Sequence, residues 1–175
     1  MAAMLYATPG QDFVGHQSIF QFENKDGTDA ATACGQCAIA TVLANRRRIP
    51  KSIAGLRLVE KEYSADVASG AWGTSAGRVE RALSGFGLRY RYAEGQKELR
   101  EALRKKAAAI ALIQNTAGLG GMGDGAHWFV VFGCDSKGVH VTNYTPLFIA
   151  WPRFEEMWSG PIPTMAVMGG RAICC

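Results

Sequence analysis

The stretch Cys34-Gly35-Gln36-Cys37-Ala38-Ile39-Ala40-Thr41-Val42-Leu43 decides how the rest of the chain is read. Before it, residues 1–33 show little periodicity and many turn formers, such as Asn24-Lys25-Asp26-Gly27. They read as loop, with an irregular segment over 1–16 and one short strand around Ile19 to Phe22. At Cys34 the pattern changes. Cys37, Ala38, Thr41, Val42 and Asn45 follow helical spacing, and Ile39 and Leu43 widen the apolar face. Thr32 is a plausible N-cap, and the helix runs into Arg46-Arg47-Arg48 and stops before Pro50.

A cysteine where a loop meets a helix start has a chemistry of its own. The free N–H groups and the helix dipole favour the thiolate, which is the nucleophilic form. The same N–H groups can receive an oxyanion. Such a thiol needs a base, usually histidine, and a third group to orient that base. The chain has three histidines. His16 lies in the irregular N-terminal part, and His140 alternates with Val139 and Val141. His127 opens an apolar strand directly after the glycine-rich run Gly118 to Gly125, and is the best candidate base.

Downstream, helices are expected over 51–62, 75–85 and 96–107. In the last of these, Leu99, Ala102, Leu103 and Ala107 share one face and charges the other. Tyr90 to Tyr92 and Ile110 to Ile113 read as strands. His127 to Phe132 and Val139 to Asn143 form a hairpin around Cys134-Asp135-Ser136-Lys137-Gly138. A short helix follows over Arg153 to Trp158. Met165 to Met168 and Ala172 to Cys174 suggest a last hairpin around Gly169-Gly170. Helices first and strands after is an α+β order. No repeat or long linker divides the chain, so residues 1–175 read as one domain.

Composition limits the functional classes. The chain is 175 residues, 48% hydrophobic and 19% charged, which suits one globular domain and excludes disorder as the main state. Charges, glycines or prolines break every apolar run well short of the roughly 20 residues needed to span a bilayer. A net charge of +4 is too small to argue for nucleic acid. The basic clusters Arg46–Arg48 and Arg100 to Lys106 read as solvated helix faces and cations near helix C-termini. Five cysteines is an odd number and does not suggest a disulfide framework. Residues 1–10 carry neither a basic n-region nor an apolar h-region. The expected location is therefore the cytoplasm, or outside it by export without a cleaved signal.

Further motifs resemble a known family. Cys34 to Leu43 resembles the Cys-Gly-x-x-small-aliphatic-Ala-x-Val-Leu helix start of C39-type peptidases, a bacteriocin-processing branch of the papain-like cysteine proteases. Glu98-Leu99 with Ala102-Leu103, followed by Ala109 to Ile113, resembles the family's helix and strand ahead of the histidine. His127 to Gly133 resembles its histidine strand, Val139-x-Val141-x-Asn143 the strand of its third triad member, and Phe154 to Gly160 its closing element. The likeness runs from about residue 17 to 160. It implies a papain-like α+β fold, with a helical part carrying the Cys helix packed on a C-terminal antiparallel sheet. It also implies a peptide or protein substrate, no cofactor or metal, and a triad of Cys34, His127 and Asn143. The third position is usually Asp in these peptidases but Asn in papain. An upstream Gln would complete the oxyanion hole. The family's spacing falls on Thr28, so Gln21 is assigned only with an insertion through Asn24 to Thr28, and Gln17 is a further option.

The triad carries a register condition: His127 and Asn143 must project to the same side of adjacent strands. Pairing Phe132 with Gly138 puts 127 opposite 143. A tight turn at Ser136-Lys137 pairs 134 with 139 and turns the two side chains to opposite faces. The triad therefore predicts a longer loop or a bulge.

Other readings compete. In papain it is the second cysteine of Cys-Gly-x-Cys that attacks, which makes Cys37 the alternative nucleophile; the apolar spacing that follows fits Cys34 better. The same machinery serves deamidases, transglutaminases and peptidoglycan amidases, including bacterial toxins and effectors, and a degenerate member could bind peptide without cutting it. Cys34-Gly35-Gln36-Cys37 also matches the Cys-x-x-Cys of thioredoxin-like disulfide oxidoreductases, and Ile162-Pro163-Thr164 resembles their cis-proline element. Against that reading, no apolar strand precedes Cys34. Gly118-Leu119-Gly120-Gly121-Met122-Gly123 fits G-x-G-x-x-G, but a strand rather than a helix follows it. It reads better as a loop beside His127. Cys34 and Cys37 lack a second Cys/His pair at zinc spacing. Cys174-Cys175 matches no prenylation pattern. The family often cuts after double glycine, so Gly169-Gly170 is also a candidate self-processing site.

Overall fold

The structure, a computed structural model, describes residues 5–6, 34–62, 74–114, 126–142, 147–159 and 170–175. Strand β1 is Leu5–Tyr6, within the stretch expected to be irregular. Helices α1 (Cys34–Asn45), α2 (Ile53–Glu62) and α3 (Ala76–Gly85) follow. Then come β2 (Arg91–Glu94), α4 (Gly95–Arg104), β3 (Ala109–Gln114), β4 (Ala126–Cys134) and β5 (Gly138–Thr142). The described chain closes with β6 (Phe148–Ala150), α5 (Trp151–Ser159) and β7 (Arg171–Cys174).

Helix α1 differs from its sequence pattern in an informative way. The spacing predicts an apolar face, yet every residue from Gly35 to Ala44 is buried. A helix buried all round is a core helix, and α1 is packed on β4, α2 and α3. Its interior hydroxyl is satisfied locally: Thr41 Oγ1 donates to the Cys37 carbonyl at 2.7 Å. The helix ends at Asn45, before the arginines, and Arg47 takes the left-handed conformation that ends it. The basic clusters are more engaged than solvated faces would be. Arg46 donates to the carbonyls of Lys106 and Cys175, at 2.6 and 2.8 Å. Arg100 donates to the Asp135 carbonyl and lies over the Trp151 ring.

Among the described residues the strands form one seven-stranded sheet of order β2-β7-β3-β4-β5-β6, with β1 paired to β4, and every described pairing is antiparallel. Consecutive residues of a strand point to opposite faces. Trp128 and Phe129 show what covers each face. The Trp128 indole reaches Thr74, just ahead of α3, while the Phe129 ring meets Phe154 of α5 at 6.1 Å between centroids. Phe154 in turn packs on Trp151 and Trp158. The core thus lies on both sides of β3 and β4, whose residues Ala109 to Ile113 and Phe129 to Val131 are fully buried.

The last strand departs from expectation. A terminal hairpin would place Ala172 to Cys174 beside Met165 to Met168, which lie outside the described residues. Instead β7 has β2 on one edge and β3 on the other, so it is an interior strand. Ile19 to Phe22 and the glycine run Gly118 to Gly125 also lie outside the described residues.

The β4–β5 hairpin has the bulge and not the longer loop. The turn is tight: Asp135 N donates to the Gly138 carbonyl, Cys134 pairs with Val139, and Gly133 with His140. A bulge between Val131 and Gly133 then absorbs one residue, so that Val131 faces Val141 and Val130 faces Thr142. Without the bulge the tight turn would invert the facing of the whole hairpin.

Candidate active site

Cys34 is the first residue of α1, at the positive end of a helix that the core holds in place. His127 is the second residue of β4, paired with Ile113 of β3. The packing of α1 on β4 brings them together. The Cys34 sulfur is hydrogen-bonded to the His127 side chain and accepts from the backbone N–H groups of Trp128 and Gly35. Burial pushes the Cys34 thiol up. The His127 hydrogen bond, the electrostatic attraction of His127 and the two backbone donors outweigh it, and the thiol sits below its ordinary value. The residue as a whole is partly exposed.

Cys37 lies one turn further along and is 1% exposed. Burial, the neighbouring Cys34 charge and that of Glu60 push its thiol up. The other three cysteines behave likewise. Burial raises Cys134, and raises Cys174 and Cys175 to about 12. Of five free thiols, Cys34 alone is drawn toward the thiolate.

Three buried polar residues that the sequence reading does not mark as site residues lie close to Cys34 or His127 in the chain or are bonded to those neighbours. Gln36, Thr74 and Trp128 are 1%, 1% and 2% exposed. Thr74 Oγ1 donates to Gln36 Oε1 at 3.0 Å, and Trp128 Nε1 donates to the Thr74 carbonyl at 2.7 Å. Thr74 also accounts for Gly35. A Cβ there would stand 2.3 Å from both Cβ and Oγ1 of Thr74, closer than any side chain can approach. The available signal was a glutamine inside an otherwise apolar helix, which must find a buried partner. Asn143, Gln21 and Gln17 lie outside the described residues. Among the described residues, no group of three or more His, Cys, Asp or Glu could hold a metal ion, and no helix is long and apolar enough to cross a membrane.

No protein-family model matches the chain, and no curated protein matches it. Among solved structures, one that matches is the crystal structure of a double glycine motif protease from an AMS/PCAT transporter, in complex with the leader peptide. It covers 80% of this chain and 81% of its own, at 18% identity and a TM-score of 0.51. The chain shares the fold of that structure. This papain-like arrangement is the α+β architecture expected from the order of elements, with the Cys34 helix against the antiparallel sheet. Within this fold, the Cys34–His127 contact lies where the start of α1 meets the opening of a central strand.

Proposed function

We propose that the chain is a cysteine peptidase, a thiol-dependent hydrolase that cleaves peptide bonds through an acyl-enzyme. The observation that carries this reading is the hydrogen bond between Cys34, the one thiol drawn toward ionisation, and His127. His127 accepts the Cys34 proton, and the thiolate attacks the carbonyl carbon of the substrate amide. The oxyanion is held by backbone N–H groups at the α1 start, with Gln21 as the side-chain donor. His127 then protonates the departing amine, leaving a thioester. A water that gives its proton to His127 hydrolyses the thioester and frees Cys34. Asn143 accepts from the second imidazole N–H and fixes the tautomer. The solved relative in fold is described with a leader peptide bound, which supports a peptide as substrate.

The deciding experiment is labelling with a thiol-reactive acyl probe, followed by mass analysis of peptides incubated with the protein. Cys34→Ala abolishes labelling and cleavage. Cys37→Ala leaves both near wild type. His127→Ala slows labelling by about two to four orders of magnitude. Labelling of Cys34→Ala at the wild-type rate sinks the assignment. Peptides that convert glutamine to glutamate without cleavage indicate a deamidase on the same machinery. Dependence on both Cys34 and Cys37 with His127 dispensable indicates a disulfide oxidoreductase.

A further inference from the structure

We propose that Thr74 is a positioning residue, the tie that holds the Cys34 helix in register with the His127 strand; this rests on the reading of Cys34 as nucleophile. Thr74 belongs to neither element. It lies immediately ahead of α3, yet it is bonded to both. Its hydroxyl donates to Gln36 in the first turn of α1, two residues from Cys34. Its carbonyl accepts from the indole of Trp128, the neighbour of His127. The backbone N–H of Trp128 donates to the Cys34 sulfur. The path therefore closes on itself: Cys34, Trp128, Thr74, Gln36 and back along α1 to Cys34.

Thr74, Gln36 and Trp128 are buried, so an unmade bond among them would leave a polar group stranded. Gly35 lets the Thr74 side chain lie directly against the α1 backbone, so the tie is short as well as closed. A chain of hydrogen bonds through Thr74 adds a second link between α1 and β4, beside those that the Cys34 sulfur itself makes. Displacements of about 1 Å at a reacting pair are enough to cost about a hundredfold in rate. The sulfur draws its ionisation from His127 and from the Trp128 N–H, both on β4, so a slip between α1 and β4 weakens both together.

The test is the pH dependence of Cys34 alkylation by iodoacetamide, resolved by peptide mass, in the full chain. Thr74→Val removes the hydroxyl and keeps the shape, while Thr74→Ser keeps the hydroxyl. Gln36→Met and Trp128→Phe each remove one partner from the far side. The expected result is an upward shift of the profile midpoint in Thr74→Val, Gln36→Met and Trp128→Phe, with about three- to tenfold slower labelling at pH 7. Thr74→Ser restores the wild-type midpoint. A residue that only packs would lower the melting temperature and leave the midpoint in place, and that result overturns the proposal. If Thr74→Val fails to fold, the Gln36 and Trp128 variants give the same reading. If wild-type Cys34 labels no faster than in His127→Ala, the nucleophile reading falls and takes this one with it. Unchanged midpoints in a protein whose Cys34 does label rapidly remove the Thr74 role alone.

Discussion

The five thiols of this chain make a residue-level test of electrostatics, because burial acts on all of them and only one escapes its effect. Cys34 gains donors at the α1 start and from β4 that Cys37, three residues away on the same helix, does not share. The sign of the pH dependence follows. Only the thiolate alkylates, so the native rate rises with pH through the folded pKa, and for Cys34 that midpoint lies below the ordinary thiol value of 9.0. In the native protein Cys34 is modified first at pH 7, and Cys37 is modified only after unfolding. His127→Ala moves the Cys34 midpoint upward, since burial then faces weaker opposition. Quantitative mass spectrometry of alkylated peptides checks each point. Cys175, which is partly exposed but whose thiol burial raises to about 12, provides the internal control. Equal labelling of Cys34 and Cys175 would contradict the picture.

At the scale of elements, the β4–β5–β6 edge is set by its turn. Asp135 Oδ1 accepts from the backbone N–H groups of Lys137 and Gly138, at 2.7 and 3.0 Å, which closes the turn. A Cβ on Gly138 would lie 2.2 Å from the Ile149 carbonyl and 2.9 Å from the Ala150 Cα, both backbone atoms of β6 that cannot swing aside. Gly138→Ala therefore separates β5 from β6 and costs about 1–3 kcal/mol, read as a lower urea midpoint with little change in slope. Much of this was legible in the sequence. The Cys34 helix, the 75–85 helix, the Leu99 face and the His127 strand all follow from period and punctuation. The need for a longer loop or a bulge followed from requiring His127 and Asn143 on one side. What stayed hidden depends on tertiary context. The complete burial of α1 is set by β4, α2 and α3 together. The three-residue β6 is too short to show a period. Thr74 carries no local signal of its two partners, which lie 38 and 54 residues away.

The placement of β7 decides a question about the whole molecule. Gly169-Gly170 followed by a short tail looks, as sequence, like a segment the protein could release by cutting after its own double glycine. In the fold that tail is an interior strand. Arg171 to Cys174 pairs along β2, and Ala172 to Cys174 pairs along β3 as well. Ala172, Ile173 and Cys174 are buried, so release would open the sheet between β2 and β3. The carbonyl that a nucleophile would attack is also engaged: the Gly170 oxygen accepts from Gly95 N at 3.0 Å, and the Gly170 N–H donates to the Trp158 carbonyl at 2.8 Å. A scissile peptide must leave such bonds and extend into the site before it can react. Prolonged incubation of the purified protein should therefore leave the intact mass unchanged, with Arg171 to Cys175 retained. A chain truncated after Gly170 should lose cooperative unfolding, because β2 and β3 would each expose an unpaired edge next to the core. Accumulation of a folded product ending at Gly170 would show that β7 is dispensable and that the double glycine is a substrate after all.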